Sequence, residues 1–400
     1  MFGGLSDQSQ RVSIPEMNKK PIRAIFVVGA GASAEFGLPV GRELLTAVAE
    51  QCSSNRDGLT FDKQSYNRDF IDAVELLAVE GGMNPYGHFA KEMKRIHTGA
   101  PLSSSIDRFI YVHRNNKKLT ELAKLAISAI LLQGEMKSTL APSFRYNDVK
   151  KGDSFFNILY QVGQNFPNGT EKTRAPVYSW LTKLFRHLAE DASFDAFLLN
   201  LSSVAFICFN YDRCIERFLL VAARDFFPED EFDPKRVLSH LNIVHPYGTV
   251  GEAHPRLDGE EWFGLWPSAR RILDASRKIR TFTETVQDTT FVDLIDEWLD
   301  QTNYLVFLGY GFLSINNELL QYKGRSTTNE VYATALGLPD RDKQMLSGII
   351  RKHIMGLEMH NPFSGDPVYW HDGTCSELFD QFGLQFTSYV VRQRKGYGYF

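Results

Sequence analysis

Near the start of the chain, a run of apolar residues leads directly into a glycine turn. The run is Ala24–Val28, the turn is Gly29-Ala30-Gly31, and the residues that follow, as far as Leu44, have the character of a helix. Such a turn brings backbone N–H groups close to a bound phosphate, and it fits the G-x-G-x-x-A form of the dinucleotide-binding fingerprint. The pattern predicts an α/β fold, and a tight strand-to-helix turn without a ligand remains the alternative.

Four more segments have the pattern of buried strands. They are short and apolar on both faces, which is typical of parallel strands covered by helices. A helix predicted at Thr289–Gln301 precedes one of them, so strands and helices alternate. We therefore predict a Rossmann-like open parallel sheet flanked by helices, with the further strands at Val204–Phe209, Asn242–His245, Leu305–Leu308 and Val331–Leu336.

The part of the chain between the first two strands has helical periodicity instead. Apolar residues recur at helical spacing in Phe70–Glu80, Leu119–Leu132 and Tyr178–Glu190. We predict a mostly helical insertion subdomain at 51–199, within a discontinuous nucleotide-binding domain at 21–50 and 200–400. The polar residues 1–20 are predicted to form a flexible tail.

Composition excludes several function classes. A net charge of -4 argues against nucleic-acid binding through bulk charge, and the four cysteines form no C-x-x-C pair that would indicate zinc. We predict no bound metal. No secretory signal is visible, and no apolar run approaches the roughly 20 residues that span a bilayer, so we expect a cytoplasmic protein with no membrane contact.

One basic segment leaves two interpretations open. The sequence SARRILDASRKIR, at 268–280, concentrates arginine and lysine on a predicted helix. A solvated helix face is the simpler interpretation, and a nucleic-acid contact is the alternative. Given the overall charge, we expect no direct nucleic-acid binding.

Two common nucleotide chemistries are disfavoured. A dehydrogenase of this fold has a second strand ending in an acidic residue about 20 residues after the glycine turn. Here that place is occupied by the helical sequence ELLTAVAEQC, whose Glu50 has the character of a surface residue. The sequence also has no G-x-x-x-x-G-K-[ST] motif, which disfavours an ATPase.

The glycine turn resembles the sirtuin pattern G-A-G-x-S-x-x-x-G-x-P-x-x-R. The matching residues are Gly29, Ala30, Gly31, Ser33, Gly37, Pro39 and Arg42, whereas Val40 and Gly41 stand where sirtuins have Asp-Phe. The resemblance implies that all of the matching residues except Gly37 bind NAD+. Further along, Asn210-Tyr-Asp212 resembles the N-x-D of sirtuins, which implies that Asn210 orders the nicotinamide ribose and a water while Asp212 helps bind nicotinamide. An Asx turn that caps the next helix is the alternative.

The general base of sirtuins is the histidine of a His-Gly pair at a strand end. In the sequence NIVHPYG, Pro246 and Tyr247 separate His245 from Gly248, and the resemblance makes Gly248 a candidate NAD+ contact. Either His245 is the base, which its ordinary pKa of about 6.5 favours, or Tyr247 occupies that place and His245 is structural.

Two further segments resemble parts of the same family. Gly309-Tyr310-Gly311 resembles the turn that receives the adenosine ribose, so both glycines are candidate NAD+ contacts. SSSIDRFI resembles the S-I-D segment of prokaryotic sirtuin-like proteins, which makes Asp107 a candidate site residue. A favourable charge at the start of a helix is the alternative for Asp107.

Together these segments resemble prokaryotic sirtuin-like NADases of antiphage defence. That resemblance implies hydrolysis of NAD+ to nicotinamide and ADP-ribose as the toxic step of abortive infection. It also implies a homo-oligomer and a separate regulator such as a HerA-type ring ATPase. The alternatives are ADP-ribosyl transfer to a protein, protein deacylation, or a catalytically silent NAD-binding scaffold.

Overall fold

In the part of the chain that the structure, a computed structural model, describes, six parallel strands form one sheet. The inner strands are covered on both faces, since every residue of the first and second strands is buried. The strands are β1 Ala24–Val28, β2 Val204–Cys208, β3 Asn242–Val244, β4 Tyr304–Leu308, β5 Glu330–Thr334 and β6 Val368–His371. The Rossmann-like α/β prediction is confirmed.

The structure describes most of the chain in several ranges. These are residues 21–53, 68–84, 87–141, 178–190, 192–252, 263–322, 324, 326–356 and 366–392. The predicted tail at 1–20 lies outside them.

The strand order is β3-β2-β1-β4-β5-β6, and the direction of winding reverses between β1 and β4. The register is simple, because Phe26 of β1 lies between Phe206 of β2 and Val306 of β4. In open parallel sheets, ligands bind outside the carboxyl ends of the strands at such a reversal. The carboxyl ends of β1 and β4, just beyond Val28 and Leu308, are therefore the first place to look for a ligand site.

Sequence periodicity located five of the six strands to within about two residues. It missed β6, which pairs with β5 at the edge of the sheet. The strand is four residues long, Val-Tyr-Trp-His, and only Val368 is buried.

The described residues between β1 and β2 form helices and no strand. The predicted helical segments correspond to α3, α6 and α7 of the structure. The helices are α1 Ala30–Ser33, α2 Gly41–Gln51, α3 Arg68–Glu80, α4 Ala90–Gly99, α5 Ile106–Val112, α6 Lys117–Lys137, α7 Trp180–Ala189 and α8 Phe194–Leu201.

The helices after β2 complete the layers around the sheet. They are α9 Cys214–Phe226, α10 Pro234–His240, α11 Ala269–Lys278, α12 Phe282–Val286, α13 Thr289–Gln301, α14 Ser314–Leu319, α15 Asp340–Ile349 and α16 Cys375–Arg392. Within the described ranges, none of the helices combines the length and the apolar character needed to span a bilayer.

Aromatic contacts join α7 and α16 to the sheet. The ring of Phe379 on α16 stacks on Phe26 of β1, with ring centroids 6.1 Å apart, and also contacts Trp180 of α7. The indole Nε1 of Trp180 donates to the carbonyl of Ala32 at 3.1 Å. α7 of the predicted insertion therefore packs with α16 in the layer that covers β1, beside the glycine turn.

Candidate active site at the carboxyl edge of the sheet

The glycine turns after β1 and β4 are in direct backbone contact. The amide of Gly29 donates to the carbonyl of Leu308 at 2.9 Å, and the amide of Gly31 donates to that of Gly309 at 3.1 Å. A Cβ on Gly29 would lie 2.5 Å from the carbonyl oxygen of Gly309. These glycines are therefore required by the packing of two turns, a reason that the fingerprint alone does not reveal.

A cavity of about 580 Å³ opens beside these turns, at the carboxyl ends of the strands. This volume lies in the range of small-molecule sites. Segments that are far apart in the sequence share its wall. The sequence-predicted residues that line it are Gly29, Ala30, Gly31, Pro39, Asn210, Asp212, Gly309 and Gly311, and Asp107 lines it as well.

Asn210 is buried, and hydrogen bonds to the glycine-turn segment after β1 fix its side-chain amide. The Nδ2 atom donates to the carbonyl of Gly29 at 3.0 Å and to the hydroxyl of Ser33 at 2.8 Å. With the amide nitrogen engaged in this way, the side-chain oxygen is the atom left for a ligand. Asn210 thus joins the end of β2 to the glycine turn of β1.

Ser33 does not line the cavity, although its predicted role was to bind NAD+. Its hydroxyl contacts both Asn210 and the carboxylate of Asp212, and Asp212 also accepts from the amide of Cys214 at 3.1 Å. Burial raises the pKa of Asp212, while the hydrogen bonds from Cys214 and Ser33 partly oppose that shift. Ser33 therefore orients the two polar side chains that reach the cavity.

Asp107 and Tyr211 form a pair in the cavity wall. The Tyr211 hydroxyl donates a short hydrogen bond to Oδ1 of Asp107, and both residues line the cavity. Burial raises the pKa of the Asp107 carboxyl, and the hydrogen bond from Tyr211 opposes that shift. Asp107 also lies in the first turn of α5, where a negative charge is favourable. Its two predicted roles, in the cavity and at the start of a helix, are therefore compatible.

His245 lies outside the cavity lining and beneath the loop that carries Asn210. Its Nδ1 is 2.9 Å from the carbonyl oxygen of Asn210, and its Nε2 is 3.1 Å from Oε1 of Glu216. Burial opposes a charge on this ring, but the Cys208 sulfur and the Glu216 carboxylate together raise the pKa of His245 well above its ordinary value. Both ring nitrogens are therefore occupied by the protein.

Tyr247, the alternative to His245, is not among the residues that line the cavity. Its ring is buried against Phe209 and Tyr211, and its hydroxyl donates to Oδ1 of Asn316 at 2.7 Å. Burial raises the pKa of the Tyr247 phenol, which keeps it protonated.

The two remaining predicted contacts lie elsewhere. Gly248 has a φ of +70°, and a Cβ there would lie 2.0 Å from the carbonyl oxygen of Lys278. Its turn therefore packs on the end of α11 and does not reach the cavity. Arg42 is exposed on α2 and does not line the cavity either.

Two parts of the cavity wall were not predicted from the sequence. Glu35 accepts the amide of Trp180 at 2.9 Å and that of Ser376 at 2.8 Å, so one carboxylate caps the starts of α7 and α16. Gly373, Thr374 and Cys375, at the start of α16, also line the cavity. The capping pattern of Thr374 with Glu377 was a signal for that helix start.

The lining is acidic. Among the described residues that form it, Glu35, Asp107 and Asp212 carry carboxyl groups, and no lysine, arginine or histidine is present. A cavity of this charge favours a ligand or a transition state that carries positive charge. The described residues contain no group of three or more histidine, cysteine, aspartate or glutamate side chains arranged to hold a metal ion.

The basic segment around α11 is engaged with acidic neighbours. Arg270 and Arg277 both pair with Glu80 and Asp274, while Arg280 pairs with Asp288. These pairs lower the positive potential that a nucleic-acid backbone would need.

No protein-family model matches the sequence, and no curated protein matches it either. The geometry of the cavity and the resemblance of the four sequence segments that line it are therefore the observations that bear on function.

The His245 contacts predict a pH-dependent contribution to stability. Because the folded-state pKa is raised, the contribution is complete below the ordinary histidine pKa and is lost as the pH rises through the folded-state value. We expect the stability advantage of the wild type over His245→Gln, about 1.5–3 kcal/mol at low pH, to shrink as the pH increases. Urea denaturation of both proteins across this range measures it, and an advantage that grows with pH contradicts the charged ring.

Proposed function

We propose that this protein cleaves NAD+ at the bond between nicotinamide and ribose and transfers the ADP-ribose group to water. The observation that supports the proposal is that three segments, which are far apart in the sequence, meet at one cavity. The glycine turns after β1 and β4, together with Asn210 and Asp212 after β2, line one cavity at the reversal of the sheet. These are the segments whose sequences resemble the NAD+-binding segments of sirtuins.

The charge of the cavity supports cleavage of the glycosidic bond. The nicotinamide ring of NAD+ is cationic, and positive charge moves onto the ribose as this bond breaks. The carboxyl groups of Asp107 and Asp212 lie in the cavity wall. The described residues of that wall include no lysine or arginine that would neutralise them. Fixed negative groups in a partly buried site stabilise developing positive charge more strongly than water does.

Asn210 supplies the positioning that this reaction needs. Its amide nitrogen is fixed by Gly29 and Ser33, so its side-chain oxygen can accept a hydrogen bond from a ribose hydroxyl or from the attacking water. Holding the water and the ribose in one orientation converts an encounter between two molecules into a step within one complex.

The physiological proposal follows from the resemblance alone. Depletion of NAD+ would make this chain the effector of an antiphage abortive-infection system, as a homo-oligomer in the cytoplasm. A separate partner, such as a HerA-type ring ATPase, would regulate it.

Replacement of Asn210 by alanine tests the proposal. We expect the full-length wild-type protein to release nicotinamide and ADP-ribose from NAD+, without the absorbance change at 340 nm that hydride transfer gives. We expect Asn210→Ala to lower the rate about 100-fold, because the acceptor for the ribose or water is lost. Chromatography of the products identifies nicotinamide and ADP-ribose and gives the rate of their release by each protein.

Asn242→Ala is the matched control. Asn242 also donates two hydrogen bonds to main-chain carbonyls, those of Ser202 and Val204, but it lies at the opposite end of β3 from the cavity. We expect this variant to keep wild-type activity. A wild-type protein that neither binds NAD+ nor releases nicotinamide contradicts the proposal, and ADP-ribose found on protein would identify transfer instead of hydrolysis.

A further inference from the structure

The three carboxyl groups of the cavity differ in what holds them. Both oxygens of Glu35 accept main-chain amides at the starts of two helices. Asp212 accepts an amide at the start of α9 and the Ser33 hydroxyl. Protonation of either group would weaken a contact that joins elements of the fold.

Asp107, by contrast, accepts no hydrogen bond that joins α5 to the start of another described helix. Among the described residues, its partner outside its own helix is the Tyr211 hydroxyl, and this hydroxyl also belongs to the cavity wall. Asp107 can therefore gain or lose a proton without releasing a helix. Tyr211 adjoins Asn210 in the sequence, so the pair lies beside the side chain that holds the ribose or water in the proposed function.

The histidine and tyrosine after β3 cannot act as a base in this arrangement. His245 uses both ring nitrogens on Asn210 and Glu216, and the Tyr247 hydroxyl is donated to Asn316. Neither side chain lines the cavity. A base must lie within hydrogen-bond reach of the proton that it removes.

We propose that Asp107, oriented by Tyr211, is the general base of the reaction, and that His245 is a positioning residue that holds the Asn210 loop. This inference rests on the proposed function. As the bond between C1′ of the ribose and the nicotinamide nitrogen breaks, its electron pair leaves with neutral nicotinamide. A water oxygen bonds to C1′ and gives one proton to the Asp107 carboxylate, which then releases it to solvent. The sum is NAD+ and water to nicotinamide, ADP-ribose and one proton.

Few charged groups of the described residues face Asp107, so its ionisation should determine how the cleavage rate varies with pH. Tyr211 contacts it directly, and Tyr247 lies close enough for the Asp107 charge to raise the pKa of that phenol. The helices packed against α5 are α2, α6 and α12. Among their charged groups, Lys124 of α6 pairs with Glu284 of α12, Glu135 of α6 pairs with Arg213 just before α9, and Arg42 and Glu43 at the start of α2 are exposed.

The test compares kcat/KM for NAD+ cleavage against pH in the full-length protein and its variants. Because burial raises the pKa of Asp107, we expect the wild-type rate to rise with pH through an ionisation above the ordinary aspartate range. Asp107→Asn should lower kcat about 100-fold, change KM little and abolish that rise. Asp195→Asn, on the exposed surface, is the control and should keep the wild-type profile.

Tyr211→Phe keeps the proposal testable if Asp107→Asn fails to fold. Loss of the phenolic donor removes a hydrogen bond that stabilises the ionised carboxylate, so the rise should move to higher pH by about 1 unit. A purely structural role for Tyr211 would lower the rate without moving the rise.

His245→Gln separates the two roles. The glutamine amide can still donate to the Asn210 carbonyl, so we expect a reduced kcat with the rise at its wild-type pH. The inference is overturned if Asp107→Asn retains the rise, or if His245→Gln abolishes it. If the wild type releases no nicotinamide at all, the proposed function itself fails, which is a different result from either of these.

Discussion

Gly309→Ala is expected to unfold or severely destabilise the protein. Gly309 has a φ of +55°, and a Cβ there would lie 2.1 Å from the amide nitrogen of Ala32 and 2.5 Å from Cα of Gly31. Both neighbours are main-chain atoms of the first glycine turn, so no side chain can rotate to make room. Backbone strain and the forced separation of two turns together should cost at least about 4 kcal/mol of unfolding free energy. Urea denaturation, or the soluble yield if the variant does not fold, measures this.

Two other glycines provide matched controls for this contact. Gly337 has a φ of +76°, but a Cβ added to it would meet no described atom within 4 Å, so Gly337→Ala has the backbone strain without the clash. We expect a loss of about 1–2 kcal/mol there. Gly348 lies within α15 with open space around it, and Gly348→Ala should be neutral or slightly stabilising. Equal losses at Gly309 and Gly337 would contradict the close approach of the two turns.

The second large effect is expected at the buried ion pair between Glu135 and Arg213. Glu135 lies near the end of α6 and is fully buried, and the Arg213 side chain is 3% exposed. The guanidinium donates to both carboxylate oxygens, at 3.0 and 2.5 Å. Glu135→Gln removes the negative charge that this buried guanidinium faces. We expect a loss of about 3–5 kcal/mol, measured by chemical denaturation.

The pair also connects the helical segment to the site, because Arg213 directly follows Asp212. Asp195→Asn is the control, since Asp195 and Arg236 form an exposed pair that should contribute less than about 1 kcal/mol. A double replacement, Glu135→Leu with Arg213→Met, should recover a large part of the loss because it removes both buried charges. If Glu135→Gln lowers the unfolding free energy no more than Asp195→Asn does, the buried pair does not hold the segment that carries Asp212 and Arg213.

Much of the sheet was predictable because buried parallel strands have a strong local pattern. Residues Ala24–Val28 and Val204–Cys208 are apolar throughout, so their type and position follow from the sequence. β6, with the sequence Val-Tyr-Trp-His, was not predicted, and only its Val368 is buried. Pairing with β5, and not local propensity, defines it.

The candidate site was predictable where its residues follow strands directly. Gly29, Asn210 and Gly309 come after β1, β2 and β4, and parallel strands bring their carboxyl ends to one edge. Glu35 and Cys375 could not be found in this way. Cys375 lines the cavity at the start of α16, and Glu35 holds the starts of α7 and α16 beside it through contacts between residues distant in the sequence.

By itself, the sequence determined the class of fold, the edge of the sheet that carries the candidate site and the polar side chains that follow the strands there, because strand patterns and turn glycines are local. Only the tertiary structure decided the direction in which each side chain points. Asp107, on a separate helix, faces the cavity, whereas His245, at a strand end, turns beneath the Asn210 loop toward Glu216. A side chain's direction depends on which partners the packed fold brings within hydrogen-bond distance, and those partners are distant in the sequence.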